Sequence, residues 1–255
     1  MTQLPASMYT YIVEADVNVK KYEMELSRIE SRLIELEISG RMEKLTILKS
    51  LTEAIKDALR NHSQTIVFVG TDRMLNSAMS ALAETDVTVG LIPLGEATLM
   101  AKALGIPYGV AACDILSARI TAILDLGKVN NRYFLSKLSL PEGANITLDC
   151  DSKYQVSALS PASIDIANFG EGGNPRDGRL EVIVRPHVQK RMFGLGRRSG
   201  FSRDSVFPVK RLTIRSGGDS LPIFSDGETV IKTPATVEVV PKKLRVIVGK
   251  QRRFV

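Results

Sequence analysis

The sequence predicts an α/β domain followed by an all-β domain. Three observations carry this reading. Apolar strand-like runs alternate with helix-periodic segments up to about residue 127, and short β-branched runs replace that alternation beyond it. The length, 255 residues, suits two modest domains with cores of their own.

In the first half, residues 9–14 (YTYIVE) are aromatic and β-branched and read as a first strand. Over 17–37, Tyr22, Leu26, Ile29, Leu33 and Leu36 recur in steps of four and three, which makes one apolar helix face. Gly40 interrupts it, and Leu48, Leu51, Ile55 and Leu59 line a second helix. TIVFV at 65–69 is a continuous apolar run of the kind buried in a parallel sheet. Gly70 ends it, and Leu75, Ala78, Met79 and Leu82 mark the next helix. VTVGLI at 87–92 is a further strand, closed by Pro93-Leu94-Gly95. A short helix is expected over about 97–104, stopped by Gly105 and Pro107. Another is expected over 111–123, with Ala112, Ile115, Leu116, Ile120 and Ile123 inward.

After Gly127 helical periodicity disappears. Runs at 129–139, 144–150, 153–159, 163–168, 180–185, 208–215, 229–232, 235–240 and 244–248 are rich in Val, Ile, Leu and Thr and separated by turn residues, the pattern of a β-sandwich. Residues 170–179 and 189–204 are expected as loops. The domains expected are therefore 1–127 and 128–255.

Hydrophobic residues at 44% and charged residues at 24% exclude collagen-like, disulfide-scaffold and wholly disordered chains. The net charge of +6 is unevenly spread. Residues 1–175 hold 16 Lys/Arg against 21 Asp/Glu, whereas 176–255 hold 18 against 7. A basic second half points to an anionic partner, nucleic acid or a phospholipid surface, or to a charged solvated tail. No run reaches the ~18 apolar residues of a membrane span, and the N-terminal stretch lacks the basic flank and apolar centre of a secretory signal. Cys113 and Cys150 have no CxxC spacing and read as unpaired thiols. With His62 and His187 also isolated, zinc and Cys/His nucleophile chemistry lack the residues they need.

In an open α/β sheet, ligands bind at the carboxyl ends of the strands. Two turns qualify, Gly70-Thr71-Asp72-Arg73-Met74 and Pro93-Leu94-Gly95-Glu96-Ala97-Thr98-Leu99. A turn that opens a helix presents free N–H groups and suits phosphate. Ordinary strand-to-helix turns carry the same pattern.

The ordered set of segments resembles the diacylglycerol kinase catalytic-domain family, lipid kinases distantly similar to NAD kinases. TIVFVGTDRMLNSAMSAL stands where that family has strand–GGDGT–helix, and VTVGLIPLGEATLMAKALGIP resembles its PLGTxND segment. DILSARITAILDLGKVNNRYFL resembles the crossover to the second domain. Asp177-Gly178-Arg179-Leu180-Glu181-Val182, Asp226-Gly227-Glu228 and VEVVPKKLRVIV resemble later family motifs, so the likeness is collinear over about 10–250. The resemblance implies a Rossmann-like nucleotide-binding domain, a β-sandwich, and ATP and Mg²⁺ as cofactors for phosphorylating a lipid hydroxyl. Asp72 would organise metal and phosphates and Glu228 would be the base. Gly70, Thr71, Arg73, Gly95 and Glu96 would line the nucleotide site, and Asp177 with Asn174 would hold a structural metal.

The departures matter as much. The family's NPxSG loop after the first strand is absent, and the chain reads Glu14-Ala15-Asp16-Val17-Asn18. Two glycines of GGDGT are gone, and Glu96 stands where an anion would bind. Arg73 and Glu96 are either an ion pair plugging the old phosphate pocket or two solvated side chains, and Arg73 is also a candidate phosphate holder. Asp177 and Glu228 are equally explained as turn residues. The segment 190–211 interleaves Lys190, Arg191, Arg197, Arg198 and Arg203 with Phe193, Leu195, Phe201 and Phe207, which suits an anionic membrane surface, single-stranded nucleic acid, or a solvated loop. The expectation is a divergent lipid kinase, cytoplasmic or peripheral at the inner membrane face, with weak or lost activity. The alternatives are a non-catalytic lipid- or protein-binding module on the same scaffold and, third, a nucleic-acid-binding protein.

Overall fold

A computed structural model describes residues 8–15, 20–46, 49–95, 99–157, 162–170, 173–186, 204–225 and 228–254, with backbone alone at 228–230. The chain forms two compact units, Met1–Leu126 with Pro241–Val255, and Gly127–Val240. Residues 241–255, expected within a second domain of 128–255, group with the first unit.

The first unit holds a parallel sheet. β1 (Tyr9–Val13) pairs with β2 (Arg41–Lys44) on one side and with β3 (Thr65–Gly70) on the other. β4 (Thr88–Pro93) follows β3 in register Thr65↔Thr88, and the end of β16 (Ala235–Ile247) follows β4 through Arg245↔Thr88. β1, β3 and β4 are buried along their whole length, as strands covered on both faces must be. Helices α1 (Glu23–Glu35), α2 (Leu51–Arg60), α3 (Asp72–Leu82), α4 (Leu99–Ala103) and α5 (Ala111–Ala118) pack around it. A capping box starts α2: Ser50 Oγ accepts from the Glu53 N–H, and Glu53 accepts from the Ser50 N–H.

Two expectations fail here for physical reasons. β2 escaped notice because RMEK has no β-branched residue; its pairing along β1, Thr10↔Arg41 to Val13↔Lys44, makes it an edge strand. The helix expected over 111–123 stops at Ala118, because Arg119 turns left-handed at φ 49°. Its guanidinium donates to Tyr9 Oη at 2.8 Å and Thr65 Oγ1 at 3.0 Å, which pins the turn. Residues 121–129 then form strand β5 (Thr121–Val129).

The second unit is built from two antiparallel layers. One runs from the first part of β16 through β13 (Arg211–Ser216) and β8 (Ile146–Cys150) to β9 (Tyr154–Ser157). The other has the order β12 (Ser205–Val209), β11 (Leu180–Pro186), β10 (Ala162–Ala167), β7 (Lys137–Leu140), β14 (Pro222–Ser225) and β15 (Glu228–Lys232). β6 (Arg132–Phe134) forms a hairpin with the end of β5. Leu148, Ile214 and Val237 from one layer and Leu138, Ile166 and Val182 from the other share a single buried core. The run 208–215 is two strands, not one, and 235–240 with 244–248 is one strand, not two.

Candidate functional site

The two expected turns lie side by side in the first unit. β3 ends at Gly70, Thr71 is extended at φ −91° and ψ 164°, and Asp72 opens α3. The Gly70 carbonyl accepts from the Leu94 N–H at 3.0 Å, which ties the turn after β3 to the turn after β4. Gly95 follows at φ 95°, and its N–H donates to Tyr108 Oη at 3.4 Å. Gly70, Thr71, Asp72 and Gly95 are therefore brought together. Arg73 is exposed on the first turn of α3. Glu96 lies outside the described residues, and so does any pairing of it with Arg73.

A carboxylate of the chain itself sits at the start of α3. The Thr71 N–H donates to Glu14 Oε2 at 2.7 Å, and Thr71 Oγ1 donates to Glu14 Oε1 at 2.9 Å. Glu14 leaves β1 with its own N–H bonded to the Val69 carbonyl at 2.9 Å, so its side chain is aimed at the neighbouring strand mouth. The carboxylate lies against the Gly70 α-carbon: a Cβ there would sit 2.4 Å from Glu14 Oε2, so this close approach requires glycine. A carboxylate on a helix-opening N–H supplies the charge and acceptor that a phosphate oxygen would bring.

Asp72 is engaged in a similar way. Its Oδ2 accepts from the Met100 N–H at 2.8 Å and its Oδ1 from the Ala101 N–H at 3.3 Å. The side chain expected to organise a metal thus braces α4 against α3. Sequence reasoning missed Glu14, although an acidic residue directly after β1, opposite the glycine that ends β3, was a readable signal.

The remaining expected residues lie in the second unit. Asn174 and Asp177 are exposed. The Asn174 carbonyl accepts from the Arg176 N–H at 2.8 Å, and Asp177 Oδ1 accepts from the Arg179 N–H at 3.0 Å, which is the bonding of a turn. Glu228 opens β15 opposite Ser225. Asp226, Gly227, the Glu228 side chain and the basic stretch 190–203 lie outside the described residues. Among the described residues no group of three or more His, Cys, Asp or Glu is placed to hold a metal ion. With Asp72 bonded to α4 amides and Asp177 closing a turn, the described donors do not fit a magnesium ion.

Two acidic groups of the second unit carry shifted pKa values. Glu181 is 8% exposed and its Oε2 has no hydrogen-bond partner among the described residues. Burial, and then repulsion from Asp177, push its carboxyl up to about 7. Burial would also raise Asp165, but hydrogen bonds from Ser139, Arg185 and Lys137 outweigh it and hold that carboxyl below its usual range. A groove of about 680 Å³ in this unit carries Lys153, Arg179, Lys210, Arg211 and Arg215. Asp151 shapes one side by accepting from the Lys210 and Arg211 N–H groups at 3.0 and 2.9 Å. Both cysteines are free and buried. No helix among the described residues is long and apolar enough to cross a membrane.

Comparison with known proteins matches this arrangement. Residues 11–129, which contain Glu14 and both turns, match the family model of the diacylglycerol kinase catalytic domain. A diacylglycerol kinase of Bacillus subtilis (strain 168) is 34% identical over 113 residues, 41% of this chain and 36% of that protein. One from Staphylococcus saprophyticus is 26% identical over 143 residues, 54% of this chain and 47% of that protein. The aligned segments thus span less than half the length of these curated relatives. Among solved structures, a diacylglycerol kinase from Bacillus anthracis str. Sterne superposes with a TM-score of 0.76 at 17% identity, covering 98% of this chain and 99% of that one. Yeast NADH kinase complexed with NADH superposes at a TM-score of 0.53 and 11% identity, covering 96% of this chain and 81% of that one. These two likenesses establish the fold, an α/β unit with a separate antiparallel β unit. Residues 11–129, somewhat under half of the chain, are the part similar to the diacylglycerol kinase catalytic-domain family.

Proposed function

We propose that the chain is a lipid-kinase scaffold whose nominal reaction, ATP-dependent phosphorylation of a lipid hydroxyl, is weak or lost. In that reaction the hydroxyl oxygen bonds to the γ-phosphorus, the bond to the ADP oxygen breaks, and the hydroxyl proton passes to a base, for which Glu228 stands by resemblance. Catalysis of this kind is mostly phosphate positioning. The observation that supports a damped reaction is the double hydrogen bond from Thr71 to Glu14. A phosphate arriving at this turn would have to displace a carboxylate already bonded there and would meet its charge.

The second reading, a non-catalytic lipid- or protein-binding module, draws on the same observation together with the engagement of Asp72 by α4. A cytoplasmic protein working at an anionic membrane face fits the exposed Lys210 and Arg211, the described end of the basic segment. Calorimetry with Mg·ATP separates the readings. We expect no heat with the wild type and measurable binding in Glu14→Ala, with unchanged circular dichroism. Wild-type label transfer to diacylglycerol as fast as that of Glu14→Ala, lost in Asp72→Asn and Glu228→Gln, would overturn the damped-reaction reading.

A further inference from the structure

The first unit contains a cavity of about 620 Å³ between α4, α5, Ile120 and residues 248–253. That size is typical of small-molecule sites. Its floor is apolar: Ile106 is buried, and Ile115 and Ile120 are half-buried. Its rim carries Lys102, Lys250 and Arg253, all exposed, and among the described residues no carboxylate lines it. None of these three cations is ion-paired among the described residues. The one carboxylate of α5, Asp114, is held by Arg32 at 2.6 Å.

The walls are fixed by backbone. The Val248 N–H donates to the Ile120 carbonyl at 2.8 Å, and the Gly249 and Arg253 N–H groups donate to the Leu104 and Ala103 carbonyls at 2.9 Å. A Cβ on Gly249 would lie 1.8 Å from the Gly105 carbonyl oxygen, so main chain meets main chain there. Main-chain contacts therefore hold residues 248–253 against residues 103–105 and 120.

Three like charges around an apolar floor repel one another and gain nothing from solvent-screened neighbours. A neutral hydrophobe would leave the cations unused, and a bare anion would leave the floor unused. We propose that this cavity binds a single-chain anionic amphiphile, an alkyl chain ending in a carboxylate or a phosphate. The site lies wholly within the first unit and requires no nucleotide, so it stands apart from the kinase reading.

The test is calorimetry on the full chain below the critical micelle concentration, with dodecanoate and dodecyl phosphate as probes. One-site binding of either anion is expected, and their relative affinity tells which head group is preferred. Dodecyl maltoside and dodecyltrimethylammonium should bind at least tenfold more weakly, and each methylene removed from the anionic probe should weaken binding about fourfold. Lys250→Glu combined with Arg253→Glu should weaken the anions at least tenfold. Ala118→Trp, at an exposed position, should block the cavity with circular dichroism unchanged. Equal binding of the maltoside, binding of inorganic phosphate as tight as dodecyl phosphate, or wild-type affinity in both variants would overturn the proposal.

Discussion

Replacing Glu181 by Gln removes a carboxyl group that the fold keeps protonated near neutrality. In the unfolded chain it titrates at about 4.5, and in the folded unit at about 7. The folded state therefore holds the proton more tightly, and stability falls as pH rises from about 4.5 to about 7. Below 4.5 the group costs nothing; above 7 the whole cost is present. At about 1.4 kcal/mol per tenfold change in acidity constant, the ceiling is about 3 kcal/mol. Glu181→Gln keeps the shape and cannot ionise, so it should stabilise the second unit at pH 8 by about 1–3 kcal/mol and leave stability at pH 4.5 nearly unchanged. Carbon-detected NMR titration of the glutamate carboxyls reads the pKa directly, and urea unfolding at several pH values reads the free energy. A Glu181 carboxyl titrating between 4 and 5, or parallel pH profiles for wild type and variant, would refute the reasoning.

Asp165→Asn should destabilise the second unit by about 2–3 kcal/mol in urea, somewhat less than a fully buried pair, because Lys137 and Arg185 retain solvent contact. Because that carboxyl is held below its usual range, its contribution is present above its ordinary pKa of 3.8 and vanishes as pH falls through the lower folded value; acid unfolding of the variant should show a shallower slope there. Ser50→Ala should cost about 1 kcal/mol through loss of the α2 cap, measurable by thermal unfolding. Burial pushes the Cys113 and Cys150 thiols up to about 11, so a disulfide reagent at pH 7 should leave both unmodified in the folded chain and label both in denaturant.

The buried strands were the most legible part of the sequence. TIVFV and VTVGLI have no polar face, and only burial on both sides accommodates such runs. Elements whose state depends on a partner were not legible. RMEK becomes a strand only because β1 offers an edge, and Ile120–Ile123 suits a helix face or a strand until Arg119 finds Tyr9 and Thr65. The same division holds for the site. Gly70, Asp72 and Gly95 could be named from turn chemistry. Their state could not, because Glu14 is 57 residues from Thr71 in sequence. Glu181 was equally hidden: a glutamate in LEVIV reads as an outward residue of an alternating strand, and its burial follows from the register Glu181↔Pro208.

The passage of β16 back into the first unit has a consequence for how the chain is made. The free side of β4 is covered by Arg245 and Val246, which are synthesised after the whole of the second unit. A ribosome-bound chain that has emerged only as far as residue 240 would carry β4 as an open parallel edge, and unpaired edges invite pairing with other chains. The second unit, Gly127–Val240, is contiguous and can close first. Maturation would then run in reverse of sequence order, with the segment that matches the kinase family model the last part to become solid, and a fragment ending at 127 would be aggregation-prone despite containing nearly the whole matched region.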